Sequence, residues 1–195
     1  MERLRISELV QSWAHYRDLG DWDGLRSTVH PDATMTATWY HGLFEGFINA
    51  AQASWRRGSR SQHFQGGTLV ELAGDRALAQ TRMAILVRGT VEGQLVDVNC
   101  TGRFVDRVER RHGEWRIARR SVVYEKDRMD PVTPGTVLSL DPERLQRFPH
   151  GYCHLAYLQS INGGQVSTDL PTAQGPALDQ LMAQARAWLH PHCSP

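Results

Sequence analysis

The chain has 195 residues, of which 41% are hydrophobic and 22% are charged, a composition typical of a folded globular domain rather than a disordered chain. Its 22 Lys and Arg residues nearly balance 21 Asp and Glu residues, for a net charge of +1. Since there is no basic stripe, a nucleic-acid partner is not expected. The N-terminal segment is charged and no apolar run approaches the roughly 18 residues of a membrane span, so we expect a cytoplasmic protein without a membrane partner.

The first third of the chain is predicted to be mainly helical. Apolar residues recur at helical spacing up to Gly20, a residue that commonly ends helices. Asp21 is suited to cap the start of a second helix, and a segment rich in Thr, Trp and Tyr predicts a strand. The predicted helices cover residues 6–19, 22–29 and 44–57, and the strand covers residues 33–40.

The following segment has the pattern of an antiparallel sheet. Gly74-Asp75 is a plausible tight turn between strands over 68–73 and 76–87. Apolar and polar residues alternate over 96–104, which predicts one apolar and one polar sheet face, and a last strand over 115–124 follows. Helices that precede a long antiparallel meander favour an α+β fold, with the helices packed on one face of a curved sheet.

The rest of the chain is predicted to be an extension of this domain. Residues 127–141 are rich in Pro, Asp, Thr and Ser, as in a linker. Two helices follow, one over 154–162 and one opened by Pro176. We therefore expect a domain over 1–130, and over 131–195 a linker and helical extension that packs on the core or on a neighbouring subunit.

Histidine and cysteine residues are concentrated in this extension. Their spacing matches no standard zinc site, so neither a metal nor another cofactor is expected. The three cysteines of the chain are widely spaced, which argues against a disulfide framework and fits a reducing compartment. The residues concerned are His150, Cys153, His154, His190, His192 and Cys193.

Two stretches carry a family resemblance: WAHYRDLGDWDGLR at 13–26 and SQHFQGGTLVE at 61–71. Here the chain resembles scytalone dehydratase and its SnoaL-like relatives, which include lindane dehydrochlorinase. The matching positions are Asp18, which precedes Asp-Trp-Asp at 21–23, and His63. Over residues 5–130 the resemblance implies a cone-shaped, nuclear-transport-factor-like (cystatin-like) fold, in which helices cover a strongly curved antiparallel or mixed sheet and enclose a pocket.

The resemblance also implies a catalytic pair. Asp18 would hold one ring nitrogen of His63, and the other nitrogen would act as a general base. The implied activity is that of a cofactor-independent lyase, a dehydratase or other elimination enzyme, acting on a small hydrophobic cyclic substrate. For Arg17, an ion pair with Asp21 or Asp23 is an equal alternative to substrate binding. The residues predicted to line the pocket are Tyr16, Arg17, Trp39, Tyr40, Phe104 and Tyr124.

Several positions depart from the named enzymes. Arg17, Ala37, Val87 and Phe104 stand where scytalone dehydratase has two tyrosines, a histidine and an asparagine, and Trp13 stands where lindane dehydrochlorinase has a lysine. The pocket is therefore predicted to be more apolar, and neither named activity transfers directly. An isomerase, a non-catalytic ligand-binding protein and a structural subunit like the small subunits of ring-hydroxylating dioxygenases are the alternatives.

The charged residues of the last strands are interpreted as solvated surface. This interpretation covers Asp106, Glu109 and the Arg119-Arg120 pair, and Arg103 is assigned to the polar sheet face. A polar outer face and a helical extension together favour a homo-oligomer, either a dimer or a trimer.

Overall fold

The computed structural model describes residues 1–191. Three helices and two short strands alternate in the first part of the chain, four long strands follow, and three helices complete it. The helices are α1 (Glu2–Leu19), α2 (Trp22–Ser27), α3 (Phe44–Arg56), α4 (Pro142–Gln146), α5 (Cys153–Ile161) and α6 (Pro176–Leu189). The strands are β1 (Val29–Ala37), β2 (Tyr40–Leu43), β3 (Ser61–Ala73), β4 (Arg76–Val91), β5 (Gln94–Arg111) and β6 (Glu114–Pro131).

The six strands form one mixed sheet in the order β2-β1-β6-β5-β4-β3. Strand β1 runs parallel to β6, and the other neighbouring pairs are antiparallel. Register shifts in the β3–β4 and β5–β6 ladders mark bulges, which bend strands and increase their twist. The predicted fold, with helices on a strongly curved mixed sheet, is confirmed.

The start of the chain follows the predicted pattern with shifted boundaries. The Asp21 carboxylate accepts a hydrogen bond from the backbone N–H of Gly24 at 2.8 Å, as predicted for an N-cap. Helix α2 ends at Ser27 rather than at residue 29, because Val29 already pairs with β6. The predicted strand over 33–40 is two strands, since the chain turns at residues 38–39 and β2 folds back on β1.

The predicted linker over 127–141 begins too early. Strand β6 continues to Pro131, where it still pairs with β5, and the short helix α4 occupies Pro142–Gln146. Backbone pairing to β5 thus extends the sheet into a segment whose composition resembles a loop.

Both faces of the sheet are covered. Helices α1 and α3 pack on one face, and α5 packs against β4, β5 and β6. Helix α6 packs on the opposite face of the sheet, where it contacts β4 and forms a separate apolar cluster with Leu78, Val105 and Val123. This second face is therefore partly apolar, whereas the alternation over 96–104 predicted a polar face. Within residues 1–191, no helix is long and apolar enough to cross a membrane.

Candidate active site

Asp18 and His63 meet where the end of α1 lies against the beginning of β3. The Asp18 Oδ1 atom lies 2.6 Å from Nδ1 of His63, and Oδ2 accepts a hydrogen bond from the backbone N–H of His63 at 2.5 Å. Their side chains are only 20% and 10% exposed, respectively. The two residues, 45 positions apart in the chain, thus form one partly buried hydrogen-bonded unit.

This arrangement defines how the imidazole is held. A carboxylate at Nδ1 favours the tautomer that carries its proton there, which leaves Nε2 as the basic nitrogen. No residue in the described part of the chain hydrogen-bonds to Nε2. The ring packs edge-on against Trp13, with 5.6 Å between centroids, and its centroid is 6.4 Å from that of Phe104. His63 is therefore oriented for acid/base chemistry in aromatic surroundings.

A buried ion pair lies beside the same aromatic residues. Arg120 on β6 and Asp106 on β5 are opposite each other in the ladder, and their two hydrogen bonds both measure 2.7 Å. Neither side chain is exposed to solvent. Burial raises the pKa of Asp106, and the Arg120 guanidinium opposes this shift. The guanidinium carbon lies 4.1 Å from the ring centroid of Trp13 and 4.2 Å from that of Phe104.

The prediction that Asp106 and Arg120 are solvated was wrong. Asp106 follows Phe104 at the two-residue spacing of a strand and so faces the helices. Arg120 also faces the helices, because the register of β6 against β5 shifts just before it. Arg107 pairs with Arg119, but the next residue of β5, Val108, pairs with Ile117, so β6 contains one extra residue at this point. Such a bulge changes the alternation, and its position cannot be read from the local sequence.

Two donors in this cluster lack acceptors. The guanidinium of Arg120 uses Nε and one terminal nitrogen for Asp106, and its Nη1 is buried with no hydrogen-bond partner among residues 1–191. The indole nitrogen of Trp13 is in the same situation. Since buried donors are normally satisfied, these two nitrogens are exceptions. Trp13 and Arg120 were not among the predicted site residues.

The predicted lining residues at the helix end have other partners. Phe104 contacts His63, as described above. The Arg17 guanidinium lies 5.8 Å from the ring centroid of Trp22, and burial lowers its pKa. The alternative ion pair is not formed, because Asp21 caps α2 and Asp23 pairs with Arg26. Tyr16 is half-buried and packs against α2.

The remaining predicted residues pack around β1 and α3. Trp39 stacks on Phe47 at 5.1 Å, and the Phe47 ring lies 6.1 Å from that of Trp13. The Tyr40 hydroxyl donates to the carbonyl of residue 43 at 2.6 Å. The Tyr124 hydroxyl accepts from the N–H of residue 38 at 3.1 Å, and burial raises its pKa. The structure thus engages these groups with the local backbone and the aromatic core rather than with the Asp18–His63 pair.

Two grooves on the surface of the described residues lie elsewhere. One, of about 590 Å³, runs along β3 beside Arg3 and His190, and another, of about 420 Å³, lies between α2, β1 and α3. Neither is lined by Asp18 or His63. The rings of Trp13 and Phe104 pack directly beside His63, whose side chain is 10% exposed.

Comparison with known proteins identifies relatives of this chain. The SnoaL-like domain matches residues 1–121. A protein named Pea pathogenicity protein 2, from Fusarium vanettenii, is 32% identical over 200 residues, covering 97% of this chain and 86% of the relative. The sequence similarity to this relative therefore includes the helical extension as well as the domain.

Solved structures provide matches of the fold. A candidate scytalone dehydratase from Novosphingobium aromaticivorans has a TM-score of 0.55 at 15% identity and covers 72% of this chain and 92% of that one. A type 2 hexachlorocyclohexane dehydrochlorinase has a TM-score of 0.54 at 18% identity, covering 72% of this chain and 94% of that one. Sequence identities this low indicate a shared fold, and residue roles must be argued from the site itself.

Proposed function

Because the chain belongs to the SnoaL-like domain family, we propose that it is a lyase that eliminates a leaving group from a small hydrophobic cyclic substrate, with His63 as the acid/base group and Asp18 as its partner. Solved structures of the same fold include a dehydrochlorinase and a candidate dehydratase, and both names denote eliminations. The observation that carries the proposal is the 2.6 Å contact that fixes the His63 ring beside two buried donors without partners.

The reaction uses Nε2 of His63 as the base. This nitrogen takes a proton from a carbon next to an electron-withdrawing group, and the electrons of the C–H bond form the new double bond. The leaving group departs from the adjacent carbon with its bonding electrons. If it is a hydroxyl, the imidazolium returns the proton and water leaves, so His63 is regenerated. The Asp18 carboxylate stabilises the imidazolium between these steps.

The two donors bind the substrate where negative charge develops. Nη1 of Arg120 and Nε1 of Trp13 donate to a carbonyl oxygen or to the departing group, an arrangement that stabilises the transition state more than the ground state. The rings of Trp13 and Phe104 contact the apolar part of the substrate. Because Phe104 replaces a polar residue of scytalone dehydratase, an apolar ring is favoured over scytalone itself.

Turnover of a defined panel tests this proposal. Cyclic β-hydroxyketones and halogenated cycloalkanes are incubated with the protein, and the new double bond is followed by ultraviolet absorbance and mass spectrometry. The wild type is expected to convert at least one class, whereas His63→Gln and Asp18→Asn lose most of that activity. His15→Gln is the matched control, because His15 lies exposed on the same helix as Asp18. Equal turnover by His63→Gln and wild type would contradict the proposal.

The mass of the product separates the alternatives. A product lighter by water or by a hydrogen halide supports elimination. A product with the mass of the substrate in ordinary water, which gains deuterium when the reaction is run in heavy water, indicates an isomerase. This outcome contradicts the lyase but retains His63 as the base. Saturable binding of a panel compound without turnover, unaffected by His63→Gln, indicates a non-catalytic binding protein and contradicts both.

A further inference from the structure

A second group of potential ligand atoms lies where β6 meets α5. Asp127 belongs to the last part of β6, and Cys153 and His154 are the first two residues of α5. The Cys153 Sγ atom lies 3.5 Å from Nδ1 of His154 and 3.7 Å from Oδ1 of Asp127. Nδ1 of His154 lies 2.9 Å from the same oxygen. One sulfur, one nitrogen and one oxygen thus form a compact triangle.

The triangle has the dimensions of one face of a zinc coordination shell. Zinc bonds to sulfur at about 2.3 Å and to nitrogen or oxygen at about 2.0–2.1 Å, with tetrahedral angles. These values correspond to separations of about 3.5–3.6 Å between sulfur and either nitrogen or oxygen, and of about 3.3 Å between nitrogen and oxygen. The observed 3.5, 3.7 and 2.9 Å each lie within about 0.4 Å of these lengths.

Asp127 is held in the orientation that a ligand requires. Its Oδ2 atom accepts a hydrogen bond from the backbone N–H of Leu155 at 2.8 Å, so Oδ1 points towards Cys153 and His154. The Asp127 side chain is fully buried, whereas that of His154 is 27% exposed. Hydrogen bonds of this kind orient the ligands of metal sites.

We propose that Asp127, Cys153 and His154 bind Zn²⁺ or a chemically similar divalent metal ion, with water completing a tetrahedral shell. The charges are matched, because Zn²⁺ with one carboxylate, one thiolate and a neutral imidazole is electrically neutral. Binding displaces the thiol proton of Cys153 to solvent, since the thiolate is the form that ligates. The site connects the helical extension to the end of β6 and takes no part in the elimination assigned to His63.

The sequence did not indicate this site. An adjacent Cys-His pair with a distant Asp has none of the standard zinc spacings, and only the packing of α5 on β6 brings the three residues together. His150 and His190 are not part of the cluster, and His192 and Cys193 lie outside the described residues.

Cobalt(II) is a spectroscopic probe for this site. Untagged full-length protein is freed of metal with a chelator and titrated with Co²⁺. We expect a saturable thiolate-to-cobalt charge-transfer band with intense visible bands of a tetrahedral ion, which Zn²⁺ displaces. Cys153→Ser should abolish the charge-transfer band, whereas Cys100→Ser should retain it, because the buried Cys100 thiol is outside the triad.

Zinc affinity and thermal stability provide a second readout. His154→Gln should weaken Zn²⁺ binding by at least about tenfold, and His150→Gln should leave it unchanged. Zn²⁺ should raise the Tm of the wild type but not that of Cys153→Ser, whose metal-free circular dichroism should match the wild type. Absence of the charge-transfer band in the wild type, or a band that persists in Cys153→Ser and disappears in Cys193→Ser, would overturn the proposal.

Discussion

Both oxygens of the Asp18 carboxylate are bound by His63, one by the ring nitrogen Nδ1 and the other by the backbone N–H. A single acidic side chain therefore fixes both the backbone position and the ring orientation of the histidine. Because Asp18 lies in the last turn of α1 and His63 near the start of β3, the same contact sets the position of the helix on the sheet. Structure and proposed chemistry thus depend on one pair of residues.

Asp18→Asn tests the tautomer assigned to His63. The amide retains the shape of the carboxylate but has one accepting oxygen instead of two, so it cannot accept from both the backbone N–H and Nδ1 of His63. With the oxygen on the backbone N–H, the amide NH2 group faces Nδ1, and the ring proton is no longer held there. We expect the downfield imidazole proton signal of His63 to be lost in NMR spectra. Turnover of any substrate should fall on the order of 10³–10⁴-fold, as in other acid/base pairs altered in this way.

His15→Gln is the control for that experiment and should preserve both the signal and the turnover. An Asp18→Asn protein that folds and retains the wild-type imidazole spectrum would show that the carboxylate does not select the tautomer.

Asp106→Ala should destabilise the protein strongly. It leaves the Arg120 guanidinium buried without its counter-charge, and breaking a buried pair in this way costs roughly 3–5 kcal/mol. Asp97→Ala is a matched control, because Asp97 also makes two 2.7 Å hydrogen bonds to an arginine, Arg88, but that pair is about half exposed. Urea denaturation should show a much smaller loss for Asp97→Ala, and equal losses would mean that burial does not govern the Asp106–Arg120 pair.

Gly102→Ala should be poorly tolerated because of the close approach of β6. A Cβ atom at residue 102 would lie 2.0 Å from the backbone oxygen of Val123, beside the bulge between Thr101 and Gly102. The strands must separate to relieve this clash, and overpacking of this kind typically costs about 1–3 kcal/mol or more.

Gly67→Ala provides the comparison for this substitution. A Cβ atom at residue 67 meets nothing within 4 Å, and the backbone there does not have a positive φ. We expect thermal unfolding to show a clear decrease in Tm for Gly102→Ala and little change for Gly67→Ala. A similar Tm for both variants would contradict the close packing at Gly102.

Stability should decrease at alkaline pH through Tyr152. Burial raises the pKa of Tyr152 to about 12, whereas an unfolded tyrosine titrates near about 10. The contribution of the neutral Tyr152 hydroxyl to the free energy of unfolding is therefore fully present below about pH 10 and is lost as the pH rises through about 12. Denaturation midpoints across this range, with tyrosinate absorbance, measure the effect.

Tyr152→Phe separates this contribution from others. The variant loses the hydrogen bonds of the hydroxyl to the carbonyl of Ser167 and the N–H of Leu170, so it should be less stable at neutral pH by about 1 kcal/mol. Its stability should also fall less steeply above pH 10. An unchanged slope would show that Tyr152 does not carry the alkaline transition.

The sequence was sufficient where the signal is local or belongs to a recurring pattern. Helical spacing ending at Gly20, the cap at Asp21 and the turn at residues 74–75 depend on a few neighbouring residues, and the observed elements follow them. The resemblance around Asp18 and His63 pointed to the fold and brought the pair to attention before any geometry was known. The family resemblance, rather than any local pattern, linked these two residues, which are 45 positions apart in the chain.

Only the tertiary structure decided which charged residues are buried and which distant groups meet. The bulge in β6 turns Arg120 towards Asp106, the packing of α1 places Trp13 between Arg120 and His63, and the docking of α5 brings Cys153 to Asp127. Each of these depends on strand register or on contacts between distant segments. Since local composition and periodicity constrain the backbone within one element but not its register against another, these sites emerge only when the sheet and helices are assembled.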